Sequence, residues 1–262
     1  MNPDIFKAGI LGVVQGITEF FPVSSTAHLI LFPWFLGWGG EVDTLSFDVG
    51  LHGGTLLALV AFFFRDWLNL FLHDRRTLFL VMLGTIPAGV AGFFLQKAVE
   101  HTLRSPIIIV FSLVIVGGIM LAAEKYGKGN KSADGSISTA DAVIIGFAQA
   151  VALVPGVSRS GITITAGLFR NLTRESATRF SFLLSTPIIG GATVLHMVKM
   201  AKAHEAYSGD VFAAGFAASA ISGFFAIGFL LDYLRKHPLH TFVYYRFGLA
   251  AVVLAFWLYG GG

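Results

Sequence analysis

Six stretches of this sequence are each long and apolar enough to cross a lipid bilayer. They cover roughly residues 47–64, 78–97, 106–123, 180–199, 211–231 and 241–259. Crossing the hydrocarbon core as a helix takes about 20 apolar residues. Only 13% of the 262 residues are charged, whereas soluble domains carry about 25%. The sequence therefore predicts an all-α polytopic membrane protein, with residues 1–262 forming a single integral membrane domain.

Two further apolar segments, about 8–38 and 140–170, are each interrupted near the middle. The first is broken at Pro22 and the second at Pro155-Gly156. Two half-length helices joined at membrane depth are typical of a re-entrant hairpin, which is tolerated where protein or a wet cavity surrounds the break. A kinked full span is the alternative. We expect six transmembrane spans plus two re-entrant helical hairpins.

The two interrupted segments resemble each other when one is placed on the other at a constant shift along the chain. The shift that aligns Gln15 with Gln149 also aligns Ser24 with Ser158. We therefore expect two repeats, about 1–125 and 139–262, joined by a polar loop at 125–138. Each repeat holds one hairpin and three spans, and because three is odd the second repeat is inserted with inverted topology. Many secondary transporters share this plan.

Lysine and arginine are distributed unequally between the two predicted membrane faces. Eleven lie on one face: Arg65, Arg75, Arg76, Lys125, Lys128, Lys131, Arg170, Arg174, Arg179, Arg235 and Lys236. Five lie on the other: Lys7, Lys97, Arg104, Lys199 and Lys202. The positive-inside rule puts the larger group in the cytoplasm and both termini outside. The first hairpin then enters from the outer face and the second from the inner face, so the two breaks should meet inside the bilayer.

Each break is followed by a cluster of hydroxyl-bearing residues, in "FPVSSTAH" after Pro22 and in "PGVSRSGIT" after Pro155. A helix that starts there presents free backbone N–H groups and about half a positive charge, which suits an oxyanion such as phosphate. Capping accounts for one serine in each motif. The residues predicted to bind such a substrate are Gln15, Ser24, Thr26, Ser158, Ser160 and Thr163.

The two segments differ in the ionisable groups that they carry. The first supplies Glu19, Ser25 and His28, whereas the second supplies Arg159 at the position that matches Ser25. Arginine suits bidentate recognition of phosphate, and residues three apart on a helix, such as Ser25 and His28, share a face. These four predicted catalytic residues offer a nucleophile, a proton carrier and a carboxylate that acts as a base or holds a divalent cation.

Structural roles are the alternatives for three of these groups. Glu19 would then be an interfacial carboxylate, His28 a hydrogen-bonded packing residue and Arg159 the partner of Glu19 in an ion pair. Ionisable groups at membrane depth are usually functional, which favours the catalytic interpretation.

Three other polar residues receive interfacial interpretations. Asp48 and His52 lie at the start of a predicted span, and Arg246 lies near the cytoplasmic end of another. We expect the first two to face the membrane interface and Arg246 to snorkel towards water.

Several classes of function are disfavoured by what the sequence lacks. With no cysteine, disulfides, thiolate metal sites and cysteine nucleophiles are excluded. No G-x-x-x-x-G-K-[ST] motif occurs, which disfavours nucleotide-driven transport, and "GVSRSG" is not a G-x-S-x-G nucleophile elbow. No dense basic run with interleaved aromatic residues indicates nucleic-acid binding.

The motifs "QGITEFFPVSSTAH" and "PGVSRSGIT" resemble the undecaprenyl-diphosphate phosphatases associated with bacitracin resistance. That family has (E/Q)-x-x-x-E before P-V-S-S-T-x-H and, later, P-G-x-S-R-S-x-x-T. Here these are Gln15 with Glu19, residues 22–28 and residues 155–163. The resemblance covers nearly the whole chain. It implies an enzyme of the bacterial plasma membrane that converts undecaprenyl diphosphate into undecaprenyl phosphate and phosphate, regenerating the lipid carrier for cell-wall synthesis.

The resemblance also implies a requirement for a divalent cation, Mg²⁺ or Ca²⁺, with Glu19 as its candidate ligand. In the corresponding mechanism Ser25 attacks the terminal phosphorus and forms a phosphoserine, and His28 or Glu19 takes the proton. Arg159, the helix N-termini and the cation would stabilise the charge on the transferring group. A transporter or a polyprenyl-phosphate flippase with the same inverted repeat is the rival, and whether the chain forms a homodimer is left open.

Overall fold

The computed structural model describes residues 3–101, 103–129, 137–203 and 208–260. Within these ranges the long elements are all α-helices. In chain order they are α1 (Pro3–Phe20), α2 (Ser25–Leu36), α3 (Leu45–Phe62), α4 (Phe64–Leu72), α5 (Arg75–His101), α6 (Pro106–Tyr126), α7 (Thr139–Val151), α8 (Arg159–Phe169), α9 (Arg174–Ala203), α10 (Gly209–Lys236) and α11 (His240–Gly260). The prediction of an all-α protein is confirmed.

Six of these helices are long and apolar enough to cross a membrane: α3, α5, α6, α9, α10 and α11. They coincide with the six predicted stretches, which confirms that part of the prediction. Large apolar side chains cover their outer surfaces, and Phe93 and Phe94 are 75% and 76% exposed. Such a surface suits contact with lipid. Half of the predicted central loop, residues 130–136, lies outside the described residues, as do Met1 and Gly262.

The helix α4 is an element that hydropathy did not predict. It follows α3 after the single residue Phe63, and it carries Asp66, which forms an ion pair with Arg179 of α9. Its exposed apolar residues include Phe71 and Leu72. An amphipathic helix as short as this one escapes a search based on spans of about 20 residues.

The two interrupted segments form the helix pairs α1–α2 and α7–α8. Proline removes a backbone donor and restricts the residue before it, so each pair is separated by a short non-helical break. The shift that aligns the two segments also relates the first residues of three pairs of helices. These are Ser25 and Arg159 for α2 and α8, Arg75 and Gly209 for α5 and α10, and Pro106 and His240 for α6 and α11.

Small residues hold both helix pairs against neighbouring spans. A Cβ atom added at Gly16 of α1 would collide with Ser222 of α10, and one added at Gly146 of α7 would collide with the backbone of Gly84 in α5. Close backbone approach of this kind is how helices associate in membranes, where burial from water contributes little between spans. These contacts fix the positions of the two breaks in the interior.

Candidate active site

The breaks between α1 and α2 and between α7 and α8 meet in the interior of the protein. The backbone N–H of Gly156 donates to Ser24 Oγ at 3.1 Å. In the other direction, Ser160 Oγ donates to the carbonyl of Phe21 at 3.1 Å. A serine side chain of each break therefore forms a hydrogen bond with a backbone group of the other break, and the two motifs form one structural unit.

Arg246 of α11 joins the same unit, and its interpretation as a snorkelling residue is wrong. It is fully buried, and its guanidinium donates to the carbonyls of Pro22 at 3.3 Å and Gly156 at 2.8 Å. Further bonds reach Leu113 and Ser112 of α6. A buried cation requires hydrogen-bond partners, and the carbonyls left free by both breaks provide them. Arg246 thus holds the two breaks together.

A serine begins the second helix of each pair from an unusual backbone conformation. Ser24 and Ser158 have φ of 76° and 72°, in the left-handed region that non-glycine residues rarely adopt. The side chain of Ser24 accepts a hydrogen bond from the N–H of Ala27, and that of Ser158 accepts one from Gly161. Both serines are therefore N-caps, as the motifs predicted for one serine in each.

Ser25, the first residue of α2, is held by a carboxylate. Its Oγ donates to Glu19 Oε2 at 2.6 Å, and the same carboxylate oxygen accepts from Gln15 Nε2 at 3.0 Å. The other oxygen, Oε1, forms an ion pair with Arg159, the first residue of α8. Glu19 and Ser25 are buried. A hydroxyl, a carboxylate and a guanidinium thus converge where two helices begin.

These groups face a cavity of about 300 Å³. Six of the ten predicted site residues line it: Glu19, Ser24, Ser25, Thr26, Ser158 and Arg159. The remaining walls come from α3, α5, α7 and α9 and include apolar residues such as Ala88, Ile188 and Ile189. Electrostatic interactions are stronger in such partly apolar surroundings than in water.

Three of the predicted substrate-binding residues lie behind the cavity wall rather than on it. Gln15 is fully buried and bonds to Glu19, and Ser160 bonds to Phe21. Thr163 lies one turn into α8, where its hydroxyl donates to the carbonyl of Arg159 at 2.7 Å. The motif pattern does not separate residues that line a cavity from residues that support it, because both kinds are polar and buried.

His28 also lies outside the cavity lining. Its Nδ1 is 2.7 Å from the carbonyl of Ser24, and its Nε2 is 2.7 Å from the hydroxyl of Tyr245 in α11. The imidazole and the tyrosine ring are stacked, with centroids 5.7 Å apart. Although Ser25 and His28 are three residues apart, only Ser25 faces the cavity. Both imidazole nitrogens are engaged with groups other than Ser25 and Glu19.

Three ionisable residues on the cavity wall were not predicted to belong to the site. Asp48 and His52 of α3 line the cavity, as does Arg104, so the interfacial interpretation of Asp48 and His52 is wrong. His52 Nε2 is 3.5 Å from Glu19 Oε2, and Asp48 pairs with Arg104 at 3.1 Å. Asp48 and His52 are four residues apart and interrupt an apolar span, which is the signal that places both on one helix face.

The nitrogen of His52 that faces Glu19 is determined by a backbone contact. His52 Nδ1 lies 2.7 Å from the carbonyl of Asp48, which accepts a hydrogen bond and so requires a proton on Nδ1. Nε2 is then the nitrogen directed to the Glu19 carboxylate. This arrangement gives Glu19 a fourth polar neighbour beside Ser25, Gln15 and Arg159.

Comparison with known proteins identifies the family. The family model described as bacitracin resistance protein BacA matches residues 8–252. The chain belongs to the BacA family. The resemblance inferred from the two motifs is therefore confirmed.

Curated relatives resemble this BacA-family chain over almost its full length. An undecaprenyl-diphosphatase of Thermodesulfovibrio yellowstonii is 51% identical over 256 residues, which cover 98% of each chain. The undecaprenyl-diphosphatase of Rubrobacter xylanophilus is 45% identical, over 96% of this chain and 98% of the relative. The undecaprenyl-diphosphatase of Desulforudis audaxviator is 44% identical, over 97% of this chain and 98% of the relative.

The cavity of this BacA-family chain offers oxygen ligands that suit a hard divalent cation. Two carboxylates, Glu19 and Asp48, line the cavity together with the Ser25 hydroxyl. Among the described residues, no group of three or more His, Cys, Asp or Glu side chains is arranged to hold a metal ion. Mg²⁺ is commonly bound by one or two carboxylates plus substrate phosphates. The donor set fits a cation that takes some of its ligands from a phosphate-bearing substrate.

Proposed function

We propose that this chain hydrolyses undecaprenyl diphosphate to undecaprenyl phosphate and phosphate. The reaction recycles the lipid carrier of cell-wall synthesis in the bacterial plasma membrane and confers bacitracin resistance. The observation that carries the proposal is the 2.6 Å hydrogen bond from Ser25 Oγ to Glu19, in a cavity that Arg159 also lines. Undecaprenyl-diphosphatases that are 44–51% identical to the chain support the choice of substrate.

In this proposal Ser25 is the nucleophile and Glu19 is the general base. Ser25 Oγ attacks the terminal phosphorus, its proton passes to Glu19 Oε2 and on to the departing undecaprenyl phosphate, and the bond between the two phosphates breaks. A water molecule then attacks the phosphoserine, Glu19 accepts a proton of that water and returns it to Ser25 Oγ, and phosphate leaves. The contact between Ser25 and Glu19 favours Glu19 over His28 as the base, since a general base must lie within hydrogen-bond reach of the proton it removes.

The charge on the transferring phosphoryl group needs stabilisation, which is the main catalytic task in phosphoryl transfer. Arg159 supplies a guanidinium beside Glu19. The starts of α2 and α8 supply backbone N–H groups and the positive ends of two helix dipoles. Because Arg246 and the Ser24–Gly156 bond hold the two breaks together, both helix starts are fixed before the substrate binds.

His28 has a positioning role in this scheme. It links the carbonyl of Ser24 to Tyr245 of α11 and so fixes the start of α2, from which Ser25 projects. We infer that loss of His28 acts on activity through the position of Ser25.

A divalent cation, Mg²⁺ or Ca²⁺, is part of the proposal. Glu19 and Asp48 would hold it together with the substrate's phosphate oxygens. When bound, it would neutralise negative charge on the diphosphate.

The proposed architecture is an inverted-topology repeat with two re-entrant hairpins, α1–α2 and α7–α8. The equal spacing between the starts of three pairs of helices supports the repeat, and the contact between the breaks supports re-entry from opposite faces. The excess of Lys and Arg on one face supports both termini lying outside. The first hairpin would then open to the outer face, where the substrate carries its diphosphate.

The experiment that tests the function is phosphate release from undecaprenyl diphosphate by the purified chain in detergent, where transport across a membrane cannot occur. We expect wild type with Mg²⁺ or Ca²⁺ to release phosphate, and we expect Ser25→Ala to reduce the rate by at least about 10³-fold, as loss of a nucleophile does. Full activity of Ser25→Ala would refute the assignment of the nucleophile. Wild type that binds the lipid without releasing phosphate would favour the flippase.

A further inference from the structure

Gln149 is a buried polar residue that the proposed chemistry leaves unused. It lies in the last turn of α7, is 2% exposed and lines the same cavity as Ser25 and Glu19. Neither its Nε2 nor its Oε1 has a hydrogen-bond partner among the described residues. Burial of an amide without partners is unfavourable, so a residue of this kind beside a cavity indicates a ligand.

The matching glutamine of the first helix pair shows why Gln149 lacks a partner. Gln15, which the repeat aligns with Gln149, donates from Nε2 to Glu19 at 3.0 Å. The residue that matches Glu19 in the second pair is Leu153, which also lines the cavity and whose side chain offers no acceptor. The second pair therefore has the same amide donor as the first, but it has leucine where the first pair has the carboxylate that accepts from this amide.

Thr193 of α9 is a second buried polar group on this wall. It is 7% exposed, lines the cavity, and its hydroxyl has no partner among the described residues. A buried threonine in a helix commonly donates to the carbonyl one turn earlier. The other four threonines of α8 and α9 do so: Thr163, Thr165, Thr178 and Thr186. Thr193 differs from all of them.

An unpaired amide and an unpaired hydroxyl can both donate to a phosphate oxygen. The terminal phosphate of the proposed substrate is assigned to Ser25, Glu19 and Arg159, but a diphosphate carries a second phosphate that remains with the lipid. We propose that Gln149 and Thr193 form a second phosphate subsite, which binds this lipid-proximal phosphate. The inference rests on the proposed function and adds the residues that distinguish a diphosphate from a monophosphate.

Uncharged donors suit the lipid-proximal phosphate, because this phosphate must leave the site as part of undecaprenyl phosphate. A neutral amide or hydroxyl donates to a phosphate oxygen without the additional ion-pair attraction and bidentate geometry that a guanidinium supplies. A subsite built from an amide and a hydroxyl therefore holds the lipid monophosphate less tightly than a second arginine would. Phosphate oxygens accept rather than donate, so the amide oxygen of Gln149 would need a water molecule beside the diphosphate as its donor.

The test uses two probes that represent the two halves of the substrate. Undecaprenyl phosphate carries the lipid-proximal phosphate, whereas orthovanadate represents the transferred phosphoryl group. Affinity for each is measured by calorimetry in detergent, so the readout does not depend on turnover. We expect Gln149→Met to weaken binding of undecaprenyl phosphate about tenfold or more, as loss of a hydrogen bond to a charged group does, and to leave orthovanadate binding unchanged. Thr193→Val should act in the same direction.

Trp67→Phe is the matched control. The indole N–H of Trp67 also has no partner among the described residues, but Trp67 does not line the cavity. We expect this variant to bind both probes as wild type does. Gln149→Met removes unpaired polar atoms at nearly constant volume, so its thermal unfolding midpoint should equal or exceed that of wild type.

The outcomes separate this inference from the proposed function. Wild type that releases no phosphate would refute the function itself. If wild type is active, equal loss of affinity for both probes in Gln149→Met assigns a structural role to Gln149 and overturns the subsite. Unchanged affinity for undecaprenyl phosphate in both Gln149→Met and Thr193→Val also overturns it. If Gln149→Met does not fold, Thr193→Val decides the question.

Discussion

The two helix breaks use the same backbone arrangement and carry different side chains. Ser24 and Ser158 occupy matching positions in the two breaks, have nearly equal φ angles of 76° and 72°, and cap the helices that follow. The next residue is Ser25 in the first break and Arg159 in the second. The first break thus presents a hydroxyl, and the second presents a cation to the carboxylate that holds this hydroxyl.

The difference between Ser25 and Arg159 shows how two similar motifs can form an asymmetric site. Two breaks of the first kind would offer two hydroxyls and no cation to stabilise the charge on a phosphoryl group. Replacement at a single aligned position separates nucleophile from charge stabilisation, while the shared caps keep both helix starts aimed at one cavity. The positions that differ should therefore control the reaction, and the positions that match should control the stability of the unit.

Glu19→Gln is expected to have the largest effect among the variants that test this comparison. The amide keeps the size of the carboxylate but cannot accept the proton of Ser25. General base catalysis contributes about 10²–10⁴-fold, and loss of the charge next to Arg159 adds to the defect. The measurement is kcat for phosphate release, with thermal unfolding to verify folding. A kcat within tenfold of wild type would exclude Glu19 as the base.

Arg159→Lys tests the second break and should have the next largest effect. Lysine retains the charge but not the planar set of donors that recognises phosphate and carboxylate together. We expect kcat/KM to fall by about 10²–10³-fold, as for loss of a donor to a developing oxyanion. The control is Arg170→Lys, because Arg170 pairs with Asp141 and does not line the cavity. If the two variants behave alike, Arg159 has only a structural ion-pairing role.

Local patterns in the sequence were sufficient to predict the six candidate spans and the two helix breaks. Hydropathy and proline act within one segment, so Pro22 and Pro155 identify the breaks without knowledge of the rest of the fold. The grouping of Ser25 with Arg159 was also predictable, because the inverted repeat expected from the sequence would bring the two breaks together.

The partners supplied by other helices were not predictable from those patterns. Arg246 and His52 belong to α11 and α3, whose lateral positions depend on contacts such as that of Gly117 in α6 with Phe247 in α11 and that of Gly54 in α3 with α10. Small residues are frequent in membrane helices, so the sequence does not show which of them meet. A single arginine near a span end was therefore interpreted as snorkelling, whereas the fold places it among free carbonyls of both breaks.

Ser24→Ala and Ser158→Ala together test the shared backbone arrangement. Each variant loses an N-cap, which costs about 0.5–2 kcal/mol of stability. Ser24 also accepts from Gly156 of the other break, and an unsatisfied buried N–H costs a further ~1–3 kcal/mol. Ser24→Ala should therefore be the more destabilised of the two in thermal unfolding. Equal losses would show that the bond between the breaks contributes nothing to stability.

His52→Gln tests the second ionisable neighbour of Glu19 and should have the smallest effect. His52 Nε2 lies 3.5 Å from Glu19 Oε2, beyond the range of a strong hydrogen bond, so its loss should lower kcat by only about two- to tenfold.

His28→Phe tests the positioning role of His28, which contacts the Ser24 carbonyl and Tyr245. We expect His28→Asn to be more active than His28→Phe, because the asparagine amide can still form one of the two hydrogen bonds of the imidazole. An amide would not replace His28 if His28 carried a proton in the reaction. Activity of His28→Asn as low as that of His28→Phe would restore His28 as a candidate for the base.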